Sequence, residues 1–395
     1  MTDALPTPIG ALKRAVYLLD RGQVSSVLVD EFHSALGVVS ELGPDGIESR
    51  VRNDSLAGVE GIGTASHEVI VAAVRGVPCT YVARLERDTR VATEGGGELR
   101  AALKGDCRCR SVPLQSLAPL EISSGTTAVP EMADAALALG HEYLVVADRL
   151  AQPALDPGQN DPGQNDPEQI ERGHDQDRRS DNSIDERRLR SQLAEIAVLN
   201  MGLAPFRVLT GIEIDLASDG VSTMSADLIA ALDIVVVTVA PNQSGLPPST
   251  NQPDATGRLL TAIANPNVDI ISFASPDRTL TASGQATSGT SSSTGSNRES
   301  ASFDAEAVFA ACNTYDKAVE VGSRPDQQNI SEELLDVALA WGTKFVISSG
   351  ARAPGQLEWL DCGASVATSA GIDPARVVNT WDADQLISWA ANHPA

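Results

Sequence analysis

Arg207-Val208-Leu209-Thr210-Gly211-Ile212-Glu213-Ile214-Asp215 is the stretch on which the architecture turns. Its Val, Leu, Ile and Thr content reads as a strand from Arg207 to Ile214. Short apolar runs of the same kind stand at Tyr143–Ala147, Ile234–Val239, Val268–Phe273, Ala318–Val321, Phe345–Ser348 and Val377–Asn379. Between most of them lie amphipathic helical patterns: Met132–Leu139, Leu189–Met201, Ala226–Leu232, Arg258–Ala264, Ala305–Tyr315 and Glu332–Trp341. Strands that alternate with helices pair in parallel, which gives an α/β fold. About seven or eight such units suit a closed barrel better than an open sheet.

Upstream of this pattern the chain is helical. Leu12, Val16 and Leu19 recur at helical spacing, as do Phe32, Leu36 and Val39, so Ile9 to Leu42 reads as two helices. Ser55 to Glu86 reads as a further helical unit around a Gly-Ile-Gly turn. Glu94-Gly95-Gly96-Gly97-Glu98 has the composition of a flexible linker. The expected division is a small all-α domain over 1–92, a linker over 93–102 and a barrel over 103–391. Two stretches interrupt the barrel. Asp156-Pro157-Gly158-Gln159-Asn160 repeats at once as Asp161 to Asn165, and a polar run follows. Thr279 to Ser302 is rich in Ser, Thr and Gly. Both read as disordered insertions, over 151–187 and 277–302.

The formal net charge of −24 over 395 residues repels nucleic acid and anionic lipid in bulk, so any DNA contact must be local. Aromatic residues make up 4% of the chain, which leaves Ala, Val, Leu and Ile to fill the cores. Cys79, Cys107, Cys109, Cys312 and Cys362 are odd in number and scattered, so no disulfide framework is implied. The first ten residues lack a basic stretch followed by an apolar one, and no apolar run approaches the roughly 20 residues a bilayer span needs. A cytoplasmic protein without a membrane role is expected.

Gly61-Ile62-Gly63 stands between apolar residues on both sides, from Leu56 to Ile70. Glycines of this kind let a backbone approach a phosphate, and the helix that follows offers free N–H groups. The segment resembles a helix-hairpin-helix. Together with the preceding helices it resembles the N-terminal DNA-binding domain of family X DNA polymerases, with no counterpart of the polymerase palm. Thr64, Ala65 and Ser66 stand where such hairpins usually carry Lys or Arg. Residues 1–100 hold ten Lys and Arg against fourteen Asp and Glu. Phosphate affinity comes largely from basic side chains, so a weak DNA contact through Gly61, Ile62 and Gly63 and a structural role both stay open.

The downstream segments resemble the polymerase and histidinol phosphatase (PHP) domain. The resemblance is carried by Gly140 to Asp148, Leu209 to Asp215 with Asp219-Gly220, Ala264 to Asp269, Glu320 to Pro325 and Ala353 to Leu357. It implies a distorted TIM-like barrel of parallel strands. Active members of that family hold two or three metals with His, Asp and Glu at the strand ends, and the metals activate water and neutralise phosphate. Carried over residue by residue, the opening His-x-His falls on Cys107 and Cys109. A further ligand falls near Ser124-Gly125, with no His or Asp close by. The next His falls on Arg149, the glutamate is retained as Glu213, and the remaining positions fall on Ala240, Phe273, Gly350 and Arg352. Glu213 alone among them keeps the His, Asp or Glu of the family.

Those departures imply a degenerate barrel, non-catalytic, with no metal and a binding or regulatory role linked to DNA metabolism. The alternative is a divergent phosphoric ester hydrolase acting on phosphomonoesters or DNA ends, holding zinc or manganese. Cys107 and Cys109, at i and i+2, would share one face of a strand and could hold zinc with Asp148 or Glu213; the plainer reading is two small buried thiols. Arg149 and Arg352 would either pair with Glu213 and Asp148 in place of metal charge, or bind a phosphorylated ligand without cleaving it. His141, ahead of a strand, reads as a surface or helix-end residue.

Overall fold

The computed structural model describes residues 7–91, 96–110, 129–149, 186–216, 224–239, 255–273, 303–325 and 330–394. Ser124, Asp219-Gly220, Ala240 and the two expected insertions lie outside these residues, except that 186–187 open a helix. Seven strands form one sheet in sequence order: β1 Gly105–Cys109, β2 Tyr143–Arg149, β3 Arg207–Asp215, β4 Ile234–Val239, β5 Ile270–Phe273, β6 Ala318–Gly322 and β7 Lys344–Ser348. Every adjacent pair is parallel. Helices Val129–Ala138, 186–203, Ala255–Ala264, Ala305–Thr314, Glu332–Ala340 and Leu360–Ser369 cover the outside.

Side-chain period two divides the sheet into an inner and an outer layer. The inner ring gathers Cys107, Tyr143, Val145, Leu209, Ile234, Val236, Ile270, Ala318 and Val346. The alternate residues point out to the helices: Leu144, Val146 and Val208 toward Met132, Ala133 and Ile196, and Ile212, Val235, Ile271 and Val319 toward Leu259, Phe309 and Leu335. The near-continuous apolar runs seen in the sequence are what strands covered on both faces require.

The seven-stranded barrel is nearly closed between β7 and β1. Cys109 bridges Ala351, Gly350 N donates to Arg108 O at 3.0 Å, and Arg110 N donates to Ala351 O at 2.7 Å. Val377–Asn379, expected as a strand, contributes only a bridge from Val377 to Phe345 before a 3-10 turn at Val378–Thr380. The cause is visible at Asn379, which is fully buried. Its amide donates to Gly105 O (2.9 Å) and Ile347 O (2.8 Å) and accepts from Ile347 N (3.0 Å). One side chain thereby ties Gly105 of β1 to Ile347 of β7.

The helical region comprises α1 Pro8–Arg21, α2 Ser26–Arg52, a 3-10 turn Leu56–Gly58, α3 Thr64–Arg75 and α4 Thr80–Asp88. Its apolar cluster, built on Leu12, Leu18, Phe32, Ile47 and Ile70, is separate from those of the barrel. Residues 97–102, expected within a linker, form a short helix whose Leu99 joins the barrel core and whose Arg100 pairs with Asp361 at 2.7 Å. The linker composition misleads there because Glu98 to Ala102 is helix-forming and carries the apolar anchor Leu99.

Helix α1 docks on the 3-10 segment Pro354–Trp359 that follows β7. Tyr17 Oη donates to Glu358 (2.6 Å), Arg21 donates to the same carboxylate (2.8 Å), and the Trp359 indole donates to Arg21 O (2.9 Å). A Cβ on Gly355 would lie 2.0 Å from Tyr17 O, so only glycine allows this approach. Gly355→Val is expected to cost about 1–3 kcal/mol by overpacking. Amide hydrogen exchange in Pro8–Arg21 should then speed up; an unchanged rate would show that α1 is not held there.

Candidate functional site

A ring of polar side chains follows the inner apolar ring, two residues further along each strand. Arg149, Glu213, Thr238, Ser272, Glu320 and Ser348 stand in phase with Ala147, Gly211, Val236, Ile270, Ala318 and Val346. They are therefore gathered at the C-terminal end of the barrel. Thr238, Ser272, Glu320 and Ser348 are each at most 2% exposed, and Glu213 is 1% exposed.

Strand β1 departs from the alternation. Its register against β2 shifts between Asp106 and Cys109, the mark of a bulge. The inserted residue turns Arg108 inward and sends Cys109 outward. Cys107 then lies in the inner ring with Tyr143 and Val145, and Cys109 lies among Met132, Ala133 and Ala136 under the outer helices. The two thiols do not share a face, which corrects the expectation of a cysteine pair. Burial, followed by the charge of Asp106, pushes both thiols well above their ordinary pKa, so they stay protonated and make poor ligands.

Arg108 is the centre of the site. Its Nη1 donates to Glu213 Oε2 at 2.9 Å, and its Nε lies 2.7 Å from Glu320 Oε1. The second contact is out of line for a hydrogen bond and is ionic in character. Arg110 Nη2 donates to Glu213 Oε2 at 2.5 Å, Arg149 Nε lies 3.8 Å from Glu213 Oε1, and Thr238 donates to that same oxygen at 3.0 Å. Ser272 donates to the other oxygen of Glu320. Burial alone would raise the pKa of Glu213, but Arg108, then Arg110, outweigh it and bring the carboxyl down to about 2. Burial disfavours the charge of Arg108, yet Glu320 and Glu213 hold it firmly protonated.

Asp106 anchors the bulge from the outer side. It accepts from Arg108 N and Ser349 N, both at 3.1 Å, and from the Ser349 hydroxyl. Burial nonetheless pushes its carboxyl up to about 6, against the pull of these donors. Gly350, at φ +60°, lies beside the Arg108 guanidinium.

The remaining expected positions are dispersed. Phe273 is out of phase with the ring and packs outward on Phe303 (5.5 Å between centroids) and Phe309 (5.9 Å), which leaves Ser272 as the inward residue of β5. Asp148 is buried on the outer face and accepts from Gln192 at 2.5 Å. Arg352 is exposed. His141 is 4% exposed, not a surface residue; burial and the nearby Arg100 hold it neutral, with a pKa of about 4. Its place beneath Arg100, 3.2 Å away, came with the unexpected helix at 97–102.

Arg108, Arg110, Thr238, Ser272 and Glu320 are the members that the carried-over motif positions miss. Thr238, Ser272 and Glu320 do leave a signal, each being a polar residue inside an otherwise apolar strand. Arg108 leaves none, because its inward orientation depends on the bulge.

A metal centre of the kind the resemblance implies needs lone-pair donors converging on one point. The donor set here does not fit it. Both oxygens of Glu213 are engaged by guanidinium or hydroxyl donors, and guanidinium has no lone pair to give. Among the described residues, no group of three or more His, Cys, Asp or Glu is placed to hold a metal ion. No protein-family model matches the chain. The chain is 25% identical over 259 residues to the DNA polymerase/3'-5' exonuclease PolX of Bacillus subtilis (strain 168). That alignment makes the chain a distant homologue of PolX, spanning 65% of this sequence and 37% of the relative's length.

Proposed function

We propose that this chain is a PHP-type barrel joined to a helix-hairpin-helix region, in which a buried ion-pair centre stands where the family places metals. It works without hydrolysis, as a cytoplasmic binding or regulatory protein linked to DNA metabolism. The observation that carries this reading is Arg108, which engages both buried carboxylates, Glu213 and Glu320, in the barrel mouth. A fixed guanidinium supplies positive charge there but cannot activate water as a bound cation does. The distant homology to PolX supports the link to DNA metabolism. Among the described residues no helix is long and apolar enough to cross a membrane. A phosphorylated ligand is the class the mouth would accept. Arg110 and Arg149 remain 19% and 29% exposed, which leaves their guanidiniums within reach of a phosphate.

The competing reading is a divergent phosphoric ester hydrolase. The full chain is to be assayed on p-nitrophenyl phosphate and on duplex DNA bearing a 3'-phosphate, with manganese or zinc supplied. No turnover that Glu213→Gln removes is expected. Turnover abolished both by a chelator and by Glu213→Gln would establish the hydrolase instead.

A further inference from the structure

The turn Gly61-Ile62-Gly63 is the segment expected to meet a DNA phosphate, yet both glycines face helix α2. Gly61 has φ +86°, and a Cβ there would stand 2.9 Å from Val38 Cγ2. A Cβ on Gly63 would stand 2.1 Å from the carboxyl carbon of Glu31. That carboxylate is seated on the first turn of α3. Ser66 N and Ser66 Oγ both donate to Glu31 Oε1 at 3.0 Å, and Gly63 N donates to Ser66 Oγ at 2.9 Å. Ser66 is fully buried by this arrangement.

We propose that Glu31 closes the hairpin to nucleic acid. Its carboxylate occupies the place at the start of α3 that a phosphate would take, and the two glycines serve the contact with α2. A carboxylate satisfies the free N–H groups and the positive end of the helix as a phosphate oxygen does. It also repels an approaching phosphate. The closure concerns the helical region alone, so its test is independent of the reading of the barrel mouth.

The test compares Glu31→Ala with Asp30→Ala in the full chain. Asp30 is the exposed neighbour on α2, so both variants lose one negative charge and only Glu31→Ala vacates the seat. Binding is read by fluorescence anisotropy on labelled duplex DNA. Glu31→Ala should bind about tenfold tighter than Asp30→Ala at about 50 mM salt, with the gain fading by about 200 mM. In parallel, inorganic phosphate should restore the lowered melting temperature of Glu31→Ala while barely moving the wild type. Equal DNA affinities for the two variants, with no rescue by phosphate, would overturn the proposal. Should Glu31→Ala fail to fold, Glu31→Gln against Asp30→Asn carries the same comparison. Gln keeps an oxygen for Ser66 without the charge, so a gain over Asp30→Asn supports the closure and its absence sinks it.

Discussion

Arg108→Met is expected to lower stability by about 3–5 kcal/mol, because it takes from Glu320 the guanidinium it pairs with and from Glu213 one of three, while leaving both carboxylates inside the barrel. Met approaches the volume of the lost side chain, so the loss reads charge more than cavity. On a barrel of this size the melting temperature should fall by about 10 °C. Arg108→Lys should recover only part of it, since one ammonium does not span two carboxylates as a guanidinium fork does. The pH dependence supplies a second readout. The carboxyl of Glu213 sits near 2 in the fold, against 4.5 once the chain is unfolded. Its contribution, about 3 kcal/mol, is present above the unfolded value and is lost as pH falls from there toward 2. Asp106 works the other way. With its pKa raised from 3.8 to about 6, its contribution is present below 3.8 and is lost as pH rises through about 6. Stability measured by urea unfolding should therefore fall at both ends of an acid series, and Arg108→Met should flatten the limb below pH 4.5. An unchanged acid limb in the variant would show that Arg108 does not hold Glu213 ionised.

Asn379→Leu is expected to be the next most damaging change. It leaves the N–H and C=O of Ile347 and the C=O of Gly105 without their partner in a buried seam. Each buried group left unsatisfied costs about 1–3 kcal/mol, so the sum should be at least about 3 kcal/mol. Hydrogen exchange should speed up first in Gly105–Cys109 and Lys344–Ser348, the two strands that the side chain joins. Uniform exchange across the barrel would mean that the seam is closed by Cys109 and Ala351 alone.

Strand and helix alternation made the barrel legible, because both faces of each strand are covered and the apolar runs are consequently continuous. Glu213 was legible too, as a carboxylate inside the mostly apolar β3. The closure was not. Asn379 sits in a short apolar stretch, and nothing in Val377-Val378-Asn379 says that its last side chain ties β1 to β7. Arg108 was hidden for a related reason. Period-two reasoning assigns Cys107 and Cys109 to one face, and a single bulged residue reverses that assignment for everything after it. Phe273 shows the same hazard: a motif matches positions along the chain, while the barrel interior selects by phase, and Ser272 is the residue in phase. The hairpin glycines were recognisable as a turn, but their partner, Glu31, lies 32 residues before Gly63 and could be found only by folding.

Placement of Arg108 against Glu213 and Glu320 is the foundation on which the functional reading rests. The decisive measurement is elemental analysis of the 395-residue chain, purified without chelator and equilibrated with manganese, zinc and iron. No stoichiometric metal is expected in the wild type. Ions bound in whole-number ratio, released together when Glu213→Gln is introduced, would show that the barrel mouth opens its arginines to admit cations and would contradict that reading.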